Sequence, residues 1–167
     1  MARGASPREA LAILERSGSH MAFRQVLAVG RSGESAIYSG TEVLGMWSEA
    51  QGRDTAAAGN LLADAGVPEV MVQYFSNSEG HLGQRLVGAL RAGLDAGGEA
   101  GPVHSAGLLL VDAQSWPLAE LRIDWSDECP IAALEKAWSV YQPQMDAYVT
   151  RALDPRQAPS YGVPGDE

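Results

Sequence analysis

The chain has 167 residues, of which 46% are apolar and 20% charged, and its 21 acidic against 12 basic side chains leave a net charge of −9. This length and apolar share support one packed domain without disulfides or metals, and they exclude global disorder. The acidity argues against a nucleic-acid partner, no apolar run is long enough to cross a membrane, and the single Cys129 fits a reducing, cytoplasmic setting.

Ser6-Pro7-Arg8-Glu9 predicts a helix start. The Ser6 hydroxyl can accept from the amide three residues on, Glu9 can reach back, and Pro7 sits where a missing N–H costs nothing. Leu11, Ile13 and Leu14 supply an apolar side, and Ser17-Gly18 ends the helix. Phe23–Val29 predicts a strand, Gly30–Gly33 a turn, and Ser35–Tyr38 its hairpin partner. Met46–Asp54 reads as polar and irregular around Trp47, with Gln51-Gly52 as its turn. Thr55–Ala63 reads as a strand whose small residues, Ala56 to Gly59, permit close backbone approach.

Pro68 opens a helix with Val70, Met71, Tyr74 and Phe75 on its apolar face. A second helix is expected from about His81 to Asp95, where Leu82, Leu86, Leu90 and Leu94 recur every four residues and read as core. Ser105–Val111 is almost continuously apolar and predicts a strand covered on both faces. Leu118–Trp125 alternates, with Ala119, Leu121, Ile123 and Trp125 on one face and Glu120, Arg122 and Asp124 on the other. A last helix starts near Pro130 and carries Ile131, Leu134, Trp138 and Tyr141; Pro143 breaks or kinks it before Met145, Tyr148 and Val149. The sum is one α+β domain over residues 1–153, followed by an extended or disordered tail over 154–167.

In this order the chain resembles a bacterial family, domain of unknown function ten twenty-eight. The stretches that carry the resemblance are Ser6–Leu14, Arg24–Gly30, Gly59–Ala63 with Pro68–Met71, Leu86–Gly98, Ser105–Val111, and Leu121–Asp124 leading to Pro130. The resemblance implies an Ntn-hydrolase-like fold: an αββα layered sandwich of antiparallel sheets and helices, here with its N-terminal strands missing. In Ntn hydrolases the nucleophile is the first residue of the first strand, and its own α-amino group serves as base. Here Met1 stands almost at the first helix, and its removal would leave Ala2, which offers no nucleophile. The chain is therefore expected to be the larger, C-terminal part of such a fold, as a fragment, a subunit or a shortened relative. A second departure lies before Ser105. The family shows an Asp, an Arg and a Gln there, and this chain has Glu99, Gly101 or Pro102, and His104.

Two functions follow as expectations. The first is an amidohydrolase acting on a small amide, with a nucleophile that this chain does not contain. The alternative is a non-catalytic relative that acts as a binding or assembly subunit. Either leaves a strand edge open to pairing, so a homo-oligomer, a dimer or a hetero-complex is expected. No cofactor and no metal are expected, because His20, His81 and His104 are dispersed and no metal-ligand spacing occurs.

Candidate catalytic residues are Asn60, His104 and Ser105; candidate substrate-binding residues are Glu99 and Asp124. Asn60 could donate to an oxyanion or orient a substrate amide, against a plain turn-holding role. His104 and Ser105 are adjacent in an extended segment, so their side chains point to opposite faces and direct activation is disfavoured. Asp124, with Asp127 and Glu128, reads either as helix-entry charge or as a site for a cation or substrate amine. Gly40-Thr41 is a weaker candidate for a self-cleavage junction, and Gly30–Gly33 lacks the lysine of a phosphate loop.

Overall fold

Helix α1 (Pro7–Ser17) begins with a capping box. The Glu9 carboxylate accepts from the Ser6 amide at 2.8 Å, and the Ser6 hydroxyl accepts from the Glu9 amide at 3.3 Å. The bond from the Ser6 backbone, and then that from its hydroxyl, hold the Glu9 carboxyl below its ordinary range. The computed structural model describes residues 4–160 and forms two compact units, Met1–Val103 and His104–Glu167.

In the first unit, β1 (Gln25–Val29) and β2 (Ser35–Ser39) form an antiparallel hairpin in the register Leu27 opposite Ile37. The strand starts two residues later than Phe23, because Met21–Phe23 closes a single 3-10 turn first. Strands β3 (Ser48–Gly52) and β4 (Thr55–Gly59) form a second hairpin, with Ala50 opposite Ala57. This corrects the reading of Met46–Asp54 as irregular. Alternation is present there, but in Ser48, Ala50 and Gly52, small residues that carry no hydropathy signal. The turn falls at Arg53-Asp54, where Asp54 takes a positive φ of 61°, rather than at Gln51-Gly52.

Helices α2 (Val67–Asn77) and α3 (Leu82–Asp95) follow. Helix α1 lies on the first hairpin, the two hairpins touch, α2 lies on the second hairpin, and α3 packs on α2. Ala50, Ala57 and Val72 form a buried cluster with Met71 against it. The expected apolar faces shift in both helices. In α2 the buried residues are Val67, Pro68, Val72 and Phe75, whereas Val70 and Tyr74 are exposed. In α3 the leucine stripe is not the core; the buried residues are Gly83, Val87, Gly88, Ala89 and Gly93, and Leu82 is exposed. The glycines explain the rotation. A Cβ at Gly88 would meet the Tyr74 ring, and one at Gly93 would meet Met71, so α3 turns its flattest side to α2.

In the second unit, β5 (Ala106–Leu110) pairs antiparallel with β6 (Ala119–Ile123), with Leu108 opposite Leu121. Helix α4 (Pro130–Tyr141) packs on both strands and buries Ile131, Leu134 and Trp138. Leu108, Leu110 and Ala119 are buried on the strands, whereas Leu109 is 59% and Val111 67% exposed. The expectation that this strand is covered on both faces is thus corrected: within its unit only one face is covered. Trp125, placed by alternation on the face of Ala119, Leu121 and Ile123, is 68% exposed, because it lies beyond Ile123, where the regular ladder ends. A 3-10 turn over Gln142–Gln144, at Pro143, separates α4 from α5 (Met145–Leu153). The Tyr141 hydroxyl donates to the Leu118 carbonyl at 2.7 Å and ties α4 to the start of β6. Of the expected extended tail, Pro155–Gln157 forms one more 3-10 turn capped by Asp154, and the part from residue 161 onward lies outside the described residues.

Candidate functional site

Asn60 follows β4 directly and is half-buried. Its neighbour Leu61 takes a left-handed backbone, φ 53°, which a bulky side chain adopts only under constraint. The constraint is visible. The Leu61 amide donates to the Leu44 carbonyl at 3.2 Å, and the Ala100 amide donates to the Leu61 carbonyl at 2.8 Å. Next to them Leu62 pairs with Glu99 in an antiparallel bridge, and the Ala63 amide donates to the Gly98 carbonyl at 3.0 Å. Gly45, itself at φ 67°, leaves room for this segment, since a Cβ there would press on the Leu61 side chain. The fold therefore draws Asn60 and Glu99, far apart in sequence, to one backbone junction. Glu99 is exposed. Among the described residues the Asn60 amide makes no hydrogen bond, so both of its N–H donors are unspent.

The second unit holds His104, Ser105 and Asp124. The His104 ring stacks on Trp125, centroids 4.1 Å apart and planes 6° from parallel. Its Nδ1 lies 2.8 Å from the Ser126 carbonyl oxygen, which can only accept. Nδ1 therefore carries the proton, and in the neutral ring Nε2 keeps the lone pair. The Ser126 amide donates back to the His104 carbonyl at 2.8 Å. His104 thus ties the segment before β5 to the segment after β6 through both its ring and its backbone. Ser105 is exposed and opens β5. Neither the stack nor the Ser126 bond directs the imidazole toward the Ser105 hydroxyl.

Asp124 accepts from Arg122 through Nη2 at 2.7 Å and Nε at 3.1 Å. That bond, and then the attraction between the charges, raise the Arg122 pKa above its ordinary value. Asp127 accepts from the Trp125 indole N–H at 3.1 Å, and the Ser126 hydroxyl accepts from the Glu128 amide at 3.1 Å. The helix-entry role falls to Cys129, whose sulfur accepts from the Ala132 amide at 3.4 Å. At Gly40-Thr41, the Gly40 amide donates to the Arg24 carbonyl at 2.9 Å, which fixes this junction in the hairpin base. Among the described residues no group of three or more metal-ligating side chains occurs, and no helix is long and apolar enough to cross a membrane.

Sequence reasoning missed Leu61 and Ser126. Neither carries a residue-type signal, because each acts through its backbone.

The model of a family of unknown function, DUF1028, matches residues 1–134. The crystal structure of protein SPO2555 from Silicibacter pomeroyi, which carries the same family designation, superposes with a TM-score of 0.75 at 29% identity. The match covers 84% of this chain and 62% of that one, so the chain spans less than two thirds of its neighbour's length. No curated protein matches.

Proposed function

Since this chain belongs to the DUF1028 family, we propose that it forms the larger part of an Ntn-hydrolase-like amidohydrolase of the bacterial cytoplasm. It acts on a small amide, and its nucleophile comes from a segment that these residues do not include. The observation that carries this reading is the strained junction at Asn60. Strain of this kind clusters at functional sites; it sits here on Leu61, and the Asn60 side chain beside it is an amide that makes no hydrogen bond among the described residues. Such an amide suits an oxyanion or a substrate carbonyl. Further support comes from the order helix, hairpin, hairpin, helix in the first unit, which suits an αββα sandwich. In this reading Glu99, brought to the same junction by its backbone bridge, meets the substrate amine or amide.

The test is ammonia release from a panel of small primary amides. It is run with the chain alone, and with the polypeptide that supplies the uncovered part of the Silicibacter pomeroyi protein. Turnover is expected only in the combined sample, and Asn60→Asp should lower it by roughly 10²–10³-fold. Absence of turnover in both samples overturns the reading.

The alternative, a binding or assembly subunit, is favoured by one separate observation: the exposed Leu109 and Val111 on the open face of β5. Under that reading His104 and Asp124 keep the structural roles seen here, and association occurs without hydrolysis.

A further inference from the structure

A cleft of about 300 Å³ opens between α1 and the hairpins of the first unit, lined by Arg8, Leu11, Glu15, Ile37, Tyr38 and Gln51 among others. It shares no residue with the Asn60–Glu99 junction. Among the described residues, none of Arg8, Glu15, Tyr38 and Gln51 spends its side chain on a hydrogen bond or ion pair. One wall therefore offers a guanidinium and a carboxylate, and the other a phenol and an amide.

The charges on α1 have an order that the helix itself does not favour. Backbone dipoles prefer an anion in the first turn and a cation in the last. Glu9 and Arg16 obey that preference. Arg8, in the first turn, and Glu15, in the last, both oppose it, and these are the residues that line the cleft. Residues that break a local rule without a compensating contact point to a role outside the fold.

We infer that this cleft binds a small linear zwitterion, with its carboxylate on Arg8 and its ammonium on Glu15. Arg8 and Glu15 lie seven residues apart on α1, about 10 Å along the axis. Both side chains are exposed and line the cleft, and this separation suits a dipeptide or an ω-amino acid better than a free α-amino acid. The volume is at the small end of ligand sites, which fits molecules of that size. Leu11 and Ile37 supply the apolar floor for the methylenes, and Tyr38 and Gln51 can bond a central amide.

Calorimetric titration of the full chain tests this with glycylglycine and 5-aminopentanoate as probes, and with butyrate and butylammonium as single-charge controls. Saturable binding of at least one zwitterion is expected, at least about 10-fold tighter than either control. Arg8→Gln should abolish it, and Glu15→Gln should bring the zwitterions down to the level of butyrate. Both substitutions remove a charge that opposes the helix dipole, so the unfolding midpoint should hold or rise; this separates lost binding from lost folding. No saturable binding of either zwitterion, or undiminished binding by Arg8→Gln, overturns the proposal. Amide-hydrolysis assays do not enter these outcomes, so the cleft and the Asn60 junction stand or fall separately.

Discussion

The hairpins β3–β4 and β5–β6 have strands of equal length and plain antiparallel registers, yet they are built to opposite specifications. The first meets α2 through Ala50 and Ala57, with the Val72 side chain against them. The second meets α4 through Leu108 and Leu110, with Trp138 buried among its cover. In the first the helix supplies the bulk and the strands supply flatness. In the second both sides supply bulk, and the strands carry more apolar surface than one helix covers. The hairpin of small residues has both α2 and the first hairpin as close neighbours, whereas the leucine hairpin, covered on one face within its unit, keeps an apolar face available.

The strongest way to break this contrast is to empty the cover of β5–β6. Trp138 is 1% exposed, and Trp138→Ala should destabilise by about 3–5 kcal/mol, read from urea unfolding. Next is to spoil the flatness of β3–β4. Ala57→Leu should cost about 1–3 kcal/mol by overpacking against Val72, although it adds hydrophobicity. A gain in stability would show that the α2 contact has slack.

Tyr141→Phe removes the tie between α4 and Leu118 and should cost about 1 kcal/mol. Burial, and then the neighbouring Tyr148, push the Tyr141 pKa above its ordinary 10.0. The fold thus favours the neutral phenol. Its contribution is complete below the unfolded pKa and fades as the pH rises through the folded one. Urea midpoints of the two proteins should therefore differ at neutral pH and converge under strongly alkaline conditions.

The smallest effect on stability is expected at the open face. Leu109→Glu should change unfolding by less than about 0.5 kcal/mol, since the side chain is mostly exposed. Sedimentation at micromolar concentration reads the other half of the contrast. If the face mediates assembly, this substitution lowers the mass while stability holds.

Legibility in the sequence followed the same divide. Helix α1 could be placed to the residue, because Ser6, Pro7 and Glu9 act on one another within a single turn. The alternation of β6 was equally plain. Strand β3 was missed because Ser48, Ala50 and Gly52 alternate in burial and not in hydropathy. The face of α3 was misassigned because large side chains normally mark the core, and here glycines do, for a reason that lies on α2. At the candidate site Asn60 and Glu99 could be picked out singly, but their meeting depends on a bridge between distant segments. The ring orientation of His104 depends on the carbonyl of Ser126, which no residue type announces.

The bridge between Leu62 and Glu99 also closes α2 and α3 into one long loop that begins and ends at a single doorway. Lengthening the turn between α2 and α3 adds little closure entropy, about 0.6 kcal/mol per doubling of a flexible loop. This chain is thus expected to accept a longer outer bend between Asn77 and His81 while the threshold beside Asn60 keeps its alignment.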